Sequence, residues 1–108
     1  MRSIGRAAGI VVAAAAFASA PPAAAAGRTH QVAIKALSYE PPALAVKRGD
    51  VVVWTNQDPF PHTVTASGKF DSKEIKPGES WSYKAQQSGD VPYICSLHPT
   101  MKATLRVK

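Results

Sequence analysis

From Gln31 onward, apolar and polar residues alternate in short runs separated by proline, glycine and aspartate. Val32, Ile34 and Ala36 alternate with Gln31, Ala33 and Lys35, the period of two that marks a half-buried strand. Pro41-Pro42 breaks that run, and residues 43–47 resume it with Leu44 and Val46 on one face. Arg48-Gly49-Asp50 is a turn signal. The β-branched run Val51-Val52-Val53-Trp54 predicts a central strand covered on both faces. Gln57-Asp58-Pro59-Phe60-Pro61 reads as a loop, since proline favours neither helix nor ladder. Alternation returns over residues 62–66, and residues 70–75 form a weaker segment resembling an irregular flap. Beyond Pro77-Gly78, Trp81 and Tyr83 share a face; beyond Ser88-Gly89-Asp90, so do Val91, Tyr93 and Cys95. Ala103, Leu105 and Val107 point inward along a last strand whose outer positions are Lys102, Thr104, Arg106 and Lys108. No stretch beyond the leader has a capped helical period. About seven to eight short strands at this spacing predict one all-β domain, a sandwich or barrel.

The start of the chain changes the compartment. Met1-Arg2-Ser3-Ile4-Gly5-Arg6 is basic, and residues 7–20 carry no charge, the layout of a secretory signal. Ala18-Ser19-Ala20 and Ala24-Ala25-Ala26 are both small-x-small cleavage sites, and Pro21-Pro22 after the first favours the second. The expectation is a signal over residues 1–26 and an exported, periplasmic domain over residues 27–108. A spanning anchor needs about 20 strongly apolar residues, and this run is shorter, alanine-rich and broken by proline, so stable membrane insertion of the cleaved protein is not expected.

Charge narrows the partners only slightly. The formal net charge is +6, and Arg2 and Arg6 leave with the leader. The remaining excess looks spread over loops and strand edges, with Lys47-Arg48 the densest pair. That is no nucleic-acid footprint, although it can steer an acidic partner.

Cysteine usage matters more. One cysteine cannot form an internal disulfide, and a free thiol in an oxidising compartment is a liability unless it is buried or occupied. Cys95, His98 and Met101 stand at i, i+3 and i+6 in Cys95-Ser96-Leu97-His98-Pro99-Thr100-Met101. Thiolate, imidazole and thioether together suit copper rather than magnesium or calcium. A further donor must come from elsewhere, and the remaining histidines are His30 and His62. His30 lies near the expected mature terminus, where chains fray. His62 lies where the loop opened by Asn56 meets a strand, so it is the expected partner. Pro99 helps the following loop curl so that Cys95 and His98 reach one ion. Two imidazoles, a thiolate and a weak axial methionine make a type 1 copper site. Other readings of the same residues are a small buried core cysteine, a thiol enzyme built on Cys95 and a histidine, and structural zinc, for which Met101 is an odd donor.

Three runs carry a family resemblance: residues 44–56, Pro61-His62-Thr63-Val64, and residues 93–101. They resemble the cupredoxins, the small copper proteins that include plastocyanin, azurin and amicyanin, over essentially all of residues 27–108. The short Cys-x-x-His-x-x-Met loop with proline after histidine looks most like the amicyanin branch. The resemblance implies a Greek-key β-sandwich holding one copper ion on His62, Cys95 and His98 with Met101 axial. Four protein donors leave no open position for a substrate, so it also implies a monomeric one-electron carrier rather than an enzyme, cycling Cu(II)/Cu(I) between redox proteins such as a dehydrogenase donor and a cytochrome or oxidase acceptor. The second reading is a module that buffers or delivers copper. Asparagine often follows the first histidine in the family, tethering the two ligand loops. Here Thr63 stands there, and its hydroxyl and N–H can do part of that work. Partner docking is expected through an apolar patch around His98 made of Phe60, Pro61, Leu97 and Pro99, with Pro59 nearby.

Overall fold

The computed structural model describes residues 27–108, so the expected leader over residues 1–26 lies outside the described residues. Nine strands form two sheets: β1 (Thr29–Lys35), β2 (Ser38–Glu40), β3 (Ala43–Val46), β4 (Val51–Asn56), β5 (Thr65–Ala66), β6 (Phe70–Asp71), β7 (Ser80–Lys84), β8 (Gly89–Cys95) and β9 (His98–Val107). One sheet has the order β2-β1-β4-β7 and the other β3-β9-β8-β5-β6. No helix occurs among the described residues. This is the expected all-β sandwich.

The alternating runs become strands because each has one face to bury. Val32 and Ile34, Val52 and Trp54, Val91, Tyr93 and Cys95, and Leu105 and Val107 all point into the space between the sheets. Tyr93 stands at its centre, edge-on to Tyr39 at 4.8 Å and to Trp54 at 5.5 Å. The Trp54 indole N–H donates to the Tyr93 hydroxyl at 3.2 Å, so the core's polar tips are paired. Burial pushes the Tyr93 hydroxyl up to about 12 and raises Tyr39 further, keeping both neutral.

Four local expectations need correction. Val51 and Val53 are only half-buried, because their face of β4 looks outward and is not covered by a second layer. The flap over residues 70–75 is partly ordered: β6 pairs with β5, and Ile75 makes a bridge to His62. Ala36 does not continue the inward face of β1. With Leu37 it forms a two-residue turn between β1 and β2 in which both residues have positive φ, 52° and 58°. His30 is not frayed, because β1 begins at Thr29 and runs parallel to β4 from there.

The sandwich has two poles. β4 starts at the lower one, where β1 also starts and β3, β7 and β9 end. It ends at the upper one, beside the Ala36-Leu37 turn and the connection from β8 to β9.

Candidate metal centre

The upper pole gathers three of the four expected donors. His62 follows the proline-rich loop after β4, Cys95 ends β8, and His98 opens β9 after a two-residue connection. Their potential ligand atoms all lie within 4.8 Å of one another. Cys95 Sγ is 3.7 Å from His62 Nδ1 and 3.8 Å from His98 Nδ1. A metal bonded to sulfur at about 2.3 Å and to nitrogen at about 2.0 Å in a trigonal plane puts those atoms roughly 3.7 Å apart. The donors present therefore fit one small ion. His62 and Cys95 are fully buried and His98 is half-buried, so one edge of the cluster reaches the surface. Met101 is buried, three residues along β9 from His98. His30 lies at the other pole, hydrogen-bonded to Asp50.

Why His62 points this way follows from its loop. Asn56 is fully buried, and its side-chain amide donates to the Phe60 and Ile75 carbonyls, both at 2.8 Å. Its side-chain oxygen accepts from the Asp58 N–H at 2.9 Å. Loop 56–60 is thereby wound around one side chain. The His62 backbone is held by the paired bridge to Ile75, 3.2 and 2.7 Å.

Asp58 was not foreseen as a site residue. Its carboxylate contacts His62 Nε2 at 2.8 Å, which leaves Nδ1 free to face Cys95. The same carboxylate accepts the Ala36 and Leu37 N–H groups at 2.6 and 3.0 Å. Burial alone would push this carboxyl up, but the Leu37 N–H, the His62 ring and the Ala36 N–H outweigh it and hold it low. One charge thus orients the histidine and clamps a turn in which non-glycine residues cost roughly 1–2 kcal/mol each. The signal available in the sequence was an aspartate four residues before a histidine. What the aspartate would also grip came from a distant turn.

Thr63 does the tethering work. Its N–H donates to Cys95 Sγ at 3.3 Å, and its hydroxyl accepts the Ser96 N–H at 2.8 Å. Further contacts join Thr63 Oγ1 to Thr65 Oγ1 at 2.9 Å and to Ser96 Oγ at 3.1 Å. The Tyr39 hydroxyl, also unforeseen, donates to the Thr63 carbonyl. The Thr63 hydroxyl therefore ties the His62 segment to the Cys95–His98 connection.

Around the His98 edge, Phe60 and Leu97 are 38% and 45% exposed, Pro61 is half-buried and Pro99 is exposed. Phe60 lies 5.3 Å from the His62 ring and 5.9 Å from that of His98. Leu37, 47% exposed on the turn that Asp58 clamps, stands at the same pole. It was missed because its place in the alternation gave no hint of a turn.

A family model described as a cupredoxin-like domain matches residues 8–107. Amicyanin-alpha of Methylorubrum extorquens is 33% identical over 91 residues, covering 79% of this chain and 76% of that protein. Plastocyanin of Scenedesmus fuscus is 32% identical over 91 residues, covering 68% and 89%. Among solved structures, the copper(I) form of an amicyanin variant superposes with a TM-score of 0.72 at 29% identity, covering 77% of this chain and 85% of that one.

Proposed function

The chain belongs to the cupredoxin family, and from that premise we propose that it is a one-electron carrier of the blue-copper type, in which His62, Cys95, His98 and Met101 would hold the copper ion. The observation that carries the reading is the thiol–imidazole triangle at the upper pole, whose 3.7 and 3.8 Å edges suit one ion. When bound there, copper supplies a Cu(II)/Cu(I) couple. The chain supplies the rest. Asp58 fixes the His62 ring, Thr63 offers an N–H to the Cys95 sulfur and holds the loops together, and Asn56 winds the loop that presents Phe60. A cluster clamped from three sides resists rearrangement when the metal's charge changes, which keeps the barrier to electron exchange low.

Electrons enter and leave through the half-buried His98 edge. The surrounding apolar residues, Phe60, Leu97 and Pro99 with Pro61 beneath, suit brief docking of redox proteins, a dehydrogenase type as donor and a cytochrome or oxidase type as acceptor. The carrier works as an exported monomer after removal of residues 1–26, and it is not an enzyme. Voltammetry of the copper-loaded protein tests the function. Repeated one-electron waves at constant copper content are expected, whereas loss of copper to an acceptor chelator during cycling would favour the buffering or delivery reading. Leu97→Asp should slow exchange with a redox partner while leaving the visible spectrum intact. An unchanged rate would remove Leu97 from the docking surface.

A further inference from the structure

Folding gathers cations that looks spread along the sequence. Arg28 precedes β1, Lys47 and Arg48 lie in the turn before β4, and Lys84 ends β7. The backbone joins these segments at the lower pole. The Val51 N–H donates to the Arg28 carbonyl at 2.8 Å, and Val51 stands opposite Lys84 in the β4–β7 register. The Arg48 N–H donates to the Lys108 carbonyl at 3.1 Å, bringing Lys108 beside them. All five side chains are exposed. None belongs to an ion pair among the described residues, whereas Arg106, two residues before Lys108, is paired with Asp90, and Lys73, farther off, with Asp71. Of the acids near this pole, Asp90 is taken up by Arg106, and Asp50 is buried, already accepts hydrogen bonds from the Arg28 and Lys47 N–H groups and contacts His30. Neither neutralises the outer rim. The large hydrophobics that stay exposed, Leu37, Phe60 and Leu97, are all at the other pole.

We propose that the lower pole is a docking surface for an anionic phospholipid bilayer. Two observations favour a membrane over an acidic protein. Several exposed cations on one blunt end, without ion-pair partners among the described residues and with no exposed large hydrophobic residue among them, match a flat anionic surface that offers charge without pockets. The chain also leaves the domain at this pole: Gly27 packs so closely on the Gly49 carbonyl that a Cβ there would come within 1.9 Å of its oxygen. On the proposed reading of residues 1–26 as a leader, the residue to which it would be joined, Gly27, lies on the side that carries the cations. Bound this way, the domain turns its His98 edge away from the bilayer, toward partners approaching from solution. That last consequence rests on the electron-carrier reading; the lipid contact does not.

Flotation of the exported, copper-loaded protein with vesicles tests the contact, with intact mass confirming that the leader is gone. Vesicles containing about a quarter phosphatidylglycerol should bind the protein at low salt, neutral phosphatidylcholine vesicles should not, and a few tenths molar salt should release it. Lys47→Glu with Arg48→Glu should weaken binding on the order of tenfold or more. Lys69→Glu with Lys102→Glu, the same change in net charge away from this pole, should weaken it only about twofold. Visible spectra and melting curves check that both variants remain folded and loaded. Absence of binding to the anionic vesicles would overturn the proposal, as would equal losses in the two variants, which would reduce the effect to net charge. Retention on an immobilised acidic protein without any vesicle binding would overturn it in favour of a protein partner.

Discussion

Each pole of the sandwich holds a histidine against an aspartate, and the two arrangements are nearly the same in outline. At the upper pole Asp58 contacts His62 Nε2 at 2.8 Å and accepts two main-chain N–H groups from the Ala36-Leu37 turn. At the lower pole Asp50 contacts His30 Nε2 at 2.9 Å and accepts two main-chain N–H groups, from Arg28 and Lys47. Both aspartates fasten a neighbouring segment of chain to the end of the sheet. What separates them is the other side of the ring. His62 Nδ1 faces a buried sulfur at 3.7 Å, while His30 remains 22% exposed with no cluster of donors around it among the described residues. A carboxylate behind an imidazole orients the ring but does not make a metal site. The second and third donors are what make the upper pole a candidate one.

The comparison breaks most visibly at Asp58. Asp58→Ala removes a buried acceptor from two main-chain N–H groups and a histidine, and should cost about 3 kcal/mol of stability in denaturant unfolding of the metal-free protein. It should also alter the electron paramagnetic resonance of the copper-loaded form, since the His62 ring loses its stop. Asp50→Ala should leave that spectrum unchanged; a spectral change there would show that the poles are not independent.

A smaller effect tests the strained turn. Replacing Ala36-Leu37 by Asn-Gly, residues suited to positive φ, should stabilise the protein by about 1–2 kcal/mol, since Asp58 no longer has to hold residues that resist the conformation. A destabilisation would show that the Leu37 side chain contributes packing. Next, Thr63→Val keeps the shape and removes the hydroxyl that accepts the Ser96 N–H, with an expected cost of about 1 kcal/mol and a measurable change in reduction potential. Thr63→Ser should restore both, and failure of that rescue would attribute the effect to the methyl group.

Asp50→Asn is read through its pH dependence, since whatever the charge contributes is fully present at neutral pH and disappears in acid. Asp50 is held down to about 2, first by the Lys47 N–H, then by the Arg28 N–H and by His30. A carboxyl whose pKa is lower folded than unfolded stabilises the protein above its unfolded value and loses that contribution as pH falls through the folded one. The wild-type melting temperature should therefore fall between about pH 4 and pH 2, and the Asn variant should show a shallower acid limb. Identical limbs would mean that Asp50 contributes no pH-dependent stability.

Much of this was legible in the sequence, for reasons the two poles make plain. Strand faces follow a period of two, so Val91, Tyr93 and Cys95, or Ala103, Leu105 and Val107, could be placed inward from the pattern alone. Cys95 and His98 are three residues apart, and the proline-rich loop marked His62 as its companion. Contacts that depend on where distant turns meet were not legible. Asp58 grips residues more than 20 positions away in the chain, and nothing in Ala36-Leu37 announces a turn. The cations at the lower pole come from four separate segments, so no run betrayed them. Val51-Val52-Val53-Trp54 read as a strand covered on both faces, and only the sheet order shows that no layer covers Val51 and Val53 on its outer side.

The most direct test of the central claim is to add Cu(II) to the purified protein and record its visible spectrum, alongside Cys95→Ser. The predicted result is an intense blue thiolate-to-copper band in the wild type that is absent from the variant. A colourless wild-type adduct, or a blue band that survives in Cys95→Ser, would contradict it.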